Sequence, residues 1–341
     1  MADSVKDRIM LQIFRCFCVL TLIVFAASCA PNLAMQKQAE DFVGKAGQYL
    51  GAAKKVKAGE KYPDQFEKAR KDYEIAKDFL EKQKAEQAIQ PAENSVKTSE
   101  TLLRQYYREE IIPNAEKLMK AIKAKVGDDI DNPLNDQIPD LEGILSRAKE
   151  METMKGAIAT DLVLDSTRKF LIAGDSLESI TSEELKSDVS FDIGKYELSD
   201  EGRVALEAFA GNIIAGKNRY KEKYPDDTIV IKSRIVGYTD QIGFDEKKPL
   251  FKEISSGIED RIPKEQPERR QFLNKRLAEF RARAISSHLE GFIKKGEESR
   301  LKITPEIIGK GEDIPPGVAE PYPTNDPRRR VCKIYNFMVR E

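Results

Sequence analysis

The chain has 341 residues, enough for two domains of ordinary size. Lysine and arginine total 57 against 58 aspartates and glutamates, a net charge of −1. Charge is abundant but balanced, with no basic stripe to carry the chain onto a nucleic acid, so that class of partner is excluded.

Lys6, Arg8 and Arg15 precede an apolar stretch from Cys16 to Ala27, followed by Ser28 and Cys29. A charged start, a short apolar core and small residues before a cut are the marks of a secretory signal over 1–28. About a dozen apolar residues are too few to span the ~30 Å hydrocarbon layer as a helix. The Ala26-Ala27-Ser28-Cys29 ending resembles a bacterial lipoprotein box, although position −3 holds Ala26 where leucine is more usual. The resemblance implies that Cys29 is lipidated, that 29–35 form a tether, and that Ala30 directs the protein to the outer membrane. Palmitate-type acylation by several chains would anchor it there, because one chain alone gives only marginal binding. The other readings of this segment are an uncleaved membrane anchor, or an ordinary signal with an incidental cysteine. With Cys16 and Cys18 in the signal and Cys29 acylated, only Cys332 is left, so no intramolecular disulfide is expected in the mature chain.

Residues 36–182 read as an all-α domain of bundled helices or hairpins. Phe66, Ala69, Tyr73, Ala76 and Leu80 recur at helical spacing after Pro63. Pro91 is expected to interrupt, with a second phase through Val96, Leu102, Leu103 and Tyr106. Ala115, Leu118, Met119, Ile122 and Val126 form a stripe after Pro113 that Gly127 stops. Pro139 opens a helix with Leu141, Ile144, Leu145, Ala148 and Met151. About five helices result. They suit a spacer, a docking surface for a protein partner, or a plain core-forming bundle.

The acidic run Asp128, Asp129, Asp131, Asn132, Asn135, Asp136 invites a calcium reading. An EF-hand loop counted from Asp129 would need glycine at its sixth place and glutamate at its twelfth, where Leu134 and Asp140 stand. The pattern is instead an acidic, proline-containing turn. No metal and no cofactor is expected anywhere in the chain.

From about 187 the pattern changes to strands alternating with helices. Val189–Gly194 reads as a first strand, and Ser199 or Asp200 can cap a helix carrying Val204, Leu206, Phe209, Ile213 and Ile214. The apolar, β-branched stretches Thr228–Ile231 and Ile235-Val236 form a second strand, ending at Gly237-Tyr238-Thr239-Asp240-Gln241-Ile242-Gly243. A helix with Leu277, Phe280, Ile285, Leu289 and Phe292 follows. Leu301–Ile303 with Ile307-Ile308 forms a third strand, and Arg330–Phe337 the last.

Phe191-x-x-Gly194 with Leu198 and Gly202, the Gly237–Gly243 loop, Asn274-x-x-Leu277-x-x-x-Arg281-Ala282, Gly309-x-Gly311-Glu312 and Arg329-Arg330-Val331 stand in an order that resembles the OmpA-like peptidoglycan-binding domain. The resemblance covers 187–341 and implies an α+β chain: the helical domain, then a β-α-β-α-β-β sandwich. It also implies a ligand, the diaminopimelate of peptidoglycan stem peptides, with an ammonium and a carboxylate on one carbon. By matching position Asp240 would accept the ammonium and the planar fork of Arg281 would hold the carboxylate. Thr239 would complete the cradle, Asn274 would bind backbone near the loop, Gly237 and Gly243 would shape it, and Arg329 or Arg330 would support it from the last strand. The sequence departs from the family pattern at residues 244–273, an insertion beside the proposed site that could lid, extend or obstruct it, or be a surface excursion of small entropic cost. It departs again at Arg328, where asparagine or aspartate is common.

The implied function is an outer-membrane lipoprotein facing the periplasm that binds peptidoglycan without breaking a bond. The alternative is a scaffold lipoprotein whose helical domain recruits a partner while its C-terminal domain has lost or altered wall binding. An enzyme is not expected. His288 is the only histidine and falls on an apolar helix side, and neither G-x-S-x-G nor H-E-x-x-H occurs.

Overall fold

The computed structural model describes residues 33–153, 157–186, 190–191, 195–296 and 302–340. The expected signal, Cys29 and the expected tether up to residue 32 lie outside these, as does most of the strand expected over Val189–Gly194. No helix among the described residues is long and apolar enough to cross a membrane.

The fold is α+β: many helices and one small mixed sheet. In chain order the helices are α1 (33–55), α2 (Ala58–Lys61), α3 (Pro63–Glu81), α4 (Ala85–Tyr106), α5 (Ile112–Val126), α6 (Ile138–Ser146), α7 (Ala148–Thr153) and α8 (Ala157–Ser179). Then come β1 (Thr181–Lys186), α9 (Asp200–Lys223), β2 (Ile229–Tyr238), α10 (Pro249–Ser255), α11 (Glu268–Gly296), β3 (Lys302–Gly311) and β4 (Val331–Arg340).

Two compact units result, and they divide the chain differently from the expected 36–182 and 187–341. One takes in 33–113 with 146–167, the other 114–145 with 168–340. The expected boundary follows the change of periodicity along the chain, whereas the units follow contacts, and α5, α6 and the end of α8 belong with the sheet.

In the first unit small residues let helices approach. Ala39, Ala85 and Ala88 pack with Met35, Phe79 and Leu80, and Val43, Ala76 and Ala92 with Phe42 and Tyr73. Ser95 Oγ donates to the Ala69 carbonyl at 2.8 Å, tying α4 to α3. Pro91 does not interrupt: α4 runs through it. Pro113 does not open a helix after a break either, because α4 passes into a π-turn over Tyr107–Ile111 that runs on into α5. A π-turn shifts the hydrogen-bond ladder by one residue, so that Pro113, lacking an N–H, falls in the first turn of α5. Gly127, at φ 55°, ends α5 as expected.

In the second unit the sheet order is β1-β4-β2-β3. β4 is antiparallel to β1 and β2, and β2 is parallel to β3. β1 is a strand where the sequence reads helix up to 182. One sheet face carries Ile231, Ile235, Cys332, Ile334 and Met338 against Leu206, Phe209 and Ile213 of α9 and Ala282, Ile285 and Leu289 of α11. The Ser199 hydroxyl caps α9, accepting from the Gly202 N–H at 2.9 Å.

The opposite face is covered too. Val230, Phe337 and Val339 meet Ile172 and Ile180. Beside them the acidic turn docks: the Tyr238 hydroxyl donates to Asp131, the Tyr335 hydroxyl to Asp129 at 2.7 Å, and Arg234 to Asp136. Lys333 lies 3.6 Å from Asp129. These carboxylates serve a basic, tyrosine-bearing sheet face. Among the described residues no group of His, Cys, Asp and Glu is placed to hold a metal.

Candidate functional site

Glycines set the position of the loop after β2. A Cβ on Gly237 would lie 2.4 Å from the Ala278 carbonyl oxygen, and one on Gly309 would lie 2.5 Å from that of Lys275. Only side-chain-free positions let α11 lie directly on the ends of β2 and β3. Gly311, at φ 60°, also faces Lys275 backbone. Gly243 meets nothing within 4 Å of its would-be Cβ, so no close approach requires glycine there.

The loop is tied down from Thr239 to Ile242. The Thr239 N–H donates to the Gly311 carbonyl at 2.7 Å, and the Gln241 N–H to the Thr324 carbonyl at 2.8 Å. Asp240 Oδ1 accepts the Ile242 N–H at 3.0 Å, an Asx turn. Asn274, buried on the first turns of α11, donates through Nδ2 to the carbonyls of Asp240 (3.2 Å) and Ile242 (3.3 Å) and to Glu312 (2.8 Å). This is the backbone-holding role expected of it.

Asp240 is 8 % exposed at its side chain, and its ion-pair partner is Arg330, whose Nη1 lies 3.0 Å from Oδ2. Arg281 is the residue expected to hold the carboxylate of a ligand. That guanidinium lies over the Phe191 ring, 5.1 Å from its centroid, and is close enough to Cys332 to favour the thiolate electrostatically. Burial outweighs it and pushes the Cys332 thiol up to about 12. The Thr239 hydroxyl is buried and makes no hydrogen bond to another described residue.

The arginine run divides three ways. Arg328 pairs with Asp326, holding that carboxyl below the usual carboxylate range. Arg329, buried, donates to the Glu312 carbonyl, and Arg330 holds Asp240. Glu312 is a motif residue to which sequence reasoning gives no role. Its carboxylate, 7 % exposed, accepts from Arg270 at 2.8 Å as well as from Asn274. The signal was the acid directly after Gly309-x-Gly311.

The insertion is structured. Ile254, Leu273 and Leu277 form a small core with Leu250, Phe251 and Ile262, and α11 begins at Glu268, inside the expected 244–273. A cleft of about 670 Å³ opens beside the loop, between Pro263 of the insertion, α11 and the end of β3.

No protein-family model matches the chain, and no curated protein matches it. Among solved structures the chain is similar to the OmpA-like domain of FopA1 from Francisella tularensis subsp. tularensis SCHU S4, at 14 % identity and a TM-score of 0.24. The match covers 47 % of this chain and 73 % of that one.

Proposed function

We propose that the protein is an outer-membrane lipoprotein, acylated at Cys29, that binds the diaminopimelate of peptidoglycan stem peptides and so tethers the membrane to the wall. The order of motifs along 187–341 motivates this reading. The observation that carries it is the Asp240–Arg330 pair, largely withdrawn from water at the end of β2. A ligand with an ammonium and a carboxylate on one carbon can enter such a pair and exchange one ion pair for two, leaving no buried charge uncompensated. Asp240 takes the ammonium, and Arg330 takes the carboxylate, with Arg281 the other candidate that the motif order names. Thr239 offers its hydroxyl, and Asn274 keeps the loop in shape. Binding is non-covalent and no bond is broken.

The test is co-sedimentation of the protein with purified sacculi, beside Asp240→Ala, Arg281→Ala and Arg330→Ala. Wild type in the pellet, with Asp240→Ala and at least one arginine variant left in solution, is the expected outcome. Failure of the wild type to pellet overturns wall binding. Equal pelleting of all four overturns the site.

A further inference from the structure

Glu312 is the first residue after β3, at the corner where the Asp240 loop, α11 and the approach to β4 meet. Its carboxylate, nearly closed to water, accepts from two side chains one turn apart on a single face of α11. Asn274 Nδ2 donates to Oε1 at 2.8 Å, and Arg270 donates through Nε at 2.8 Å and through Nη2 at 3.1 Å. A two-pronged guanidinium contact fixes the direction of a carboxylate as well as its distance. The main chain is engaged here too. The Gly311 carbonyl accepts from the Thr239 N–H at 2.7 Å, and the Glu312 carbonyl accepts from Arg329.

Asn274 is the group through which this carboxylate reaches the loop. Its amide has a donating end and an accepting end, and half a turn about the last side-chain bond exchanges them. The donating end faces the carbonyls of Asp240 and Ile242 and the carboxylate of Glu312. An ionised carboxylate only accepts, so a reversed amide would set oxygen against oxygen at every one of these contacts, in a buried place. Glu312 thereby holds Asn274 in the orientation that grips both loop carbonyls. Glutamine in its place could donate to the reversed amide and would ease that penalty.

Arg270 comes from the insertion. Residues 268–273 add more than a turn to the front of α11, and the rest of the insertion is fastened to that helix. Arg269 donates to Glu246 at 2.7 Å and to the Pro263 carbonyl at 3.3 Å, and Arg276 donates to the Ile254 carbonyl at 2.5 Å. Two carboxylates withdrawn from water, Glu312 and Asp240, thus have one guanidinium each, Arg270 and Arg330.

We infer that Glu312 is a positioning residue for the Asp240 loop, and that the insertion serves the site as a fixed brace, supplying Arg270 to hold Glu312 against Asn274, and not as a lid that closes over a ligand. The identity of the ligand rests on the wall-binding reading above; the bracing does not.

The experiment follows the full chain in detergent micelles by amide hydrogen exchange and by calorimetric titration with a soluble stem tripeptide ending in diaminopimelate. The variants are Glu312→Gln, Arg270→Ala and Arg270→Lys, with Lys264→Ala, exposed on the insertion, as control. Without the tripeptide, amides of 239–242 should exchange about tenfold or more faster in Glu312→Gln and Arg270→Ala, while those of α9 and β4 keep the wild-type rate. Arg270→Lys, which keeps the charge but not the fork, should fall between. The tripeptide should bind Glu312→Gln and Arg270→Ala about tenfold or more weakly, and Lys264→Ala as tightly as wild type. Residues 249–262 should exchange alike with and without it. The inference is overturned if loop exchange is unchanged in both Glu312→Gln and Arg270→Ala, or if α9 and β4 quicken equally with the loop. It is also overturned if these two variants bind the tripeptide as wild type does, or if the tripeptide slows exchange across 249–262, the mark of a closing lid. A wild type that does not bind the tripeptide overturns the wall-binding reading instead, and the unliganded exchange comparison then decides the bracing by itself.

Discussion

The Tyr238 hydroxyl donates a hydrogen bond to Asp131, although 107 residues separate the two. Tyr335 makes the equivalent bond to Asp129. Together they fix the turn between α5 and α6 to the face of the sheet away from α9 and α11, where Lys333 and Arg234 add charge complementarity.

These tyrosines set an alkaline limit on stability. Burial, then the neighbouring aspartate, raises the pKa of Tyr238 and Tyr335 above the ordinary 10.0. The folded state therefore holds protons that the unfolded chain releases above pH 10, and stability falls as pH rises past that value. Urea unfolding followed from pH 9 to 11 should show this slope, and Tyr238→Phe or Tyr335→Phe should flatten it. At pH 7 each replacement should cost ~1–3 kcal/mol, because it leaves a carboxylate without its hydroxyl donor.

Gly237→Ala should destabilise the second unit by ~1–3 kcal/mol, since its Cβ would press on the Ala278 carbonyl. Gly243→Ala, in open space, should leave the urea midpoint within experimental scatter of wild type. Equal effects at the two glycines would contradict the packing described.

Asp240 and Arg330 should behave as a coupled pair. Removing either alone strands a partly buried charge, at a cost of ~1–3 kcal/mol. The double variant Asp240→Ala/Arg330→Ala should be less destabilised than the sum of the singles, with a coupling energy of ~0.5–3 kcal/mol by urea titration. Strict additivity would place the two side chains out of contact.

Cys332 should resist alkylation. It is fully buried, and its pKa of about 12 leaves almost no thiolate at pH 8. Peptide mapping after iodoacetamide should find it unmodified in native protein and modified in urea.

Much of this arrangement is legible in the sequence where it is written locally. β2 and β4 are largely buried, and each reads as a strand from its apolar, β-branched stretches on either side of a polar interruption. The Ser199 cap and the Gly127 stop are local chemistry, and they appear where expected. The Asp240 loop and Asn274 belong to one motif, and their hydrogen bonds are short-range in space once Gly237 admits the helix. β1 was hidden because an edge strand needs little apolar pattern: Thr-Ser-Glu-Glu-Leu-Lys buries only Leu185. The motif order names Arg330 only as a support for the site, and its bond to Asp240 is not written locally. Sequence order cannot reveal which guanidinium of several reaches a carboxylate 90 residues away. The acidic run reads as a turn, but its partners lie on distant strands, and no local pattern reveals a docking face.

The cover that the turn between α5 and α6 and the end of α8 give the sheet has a consequence for how this protein can be divided. A fragment beginning at residue 187 would carry the whole run of motifs named above and look like a portable cassette. It would lack β1, leaving β4 as a raw border, and it would bare Tyr238, Tyr335, Val230 and Phe337 to water. Such a graft should be sticky in isolation, whereas one that starts at residue 114 carries its own lining with it.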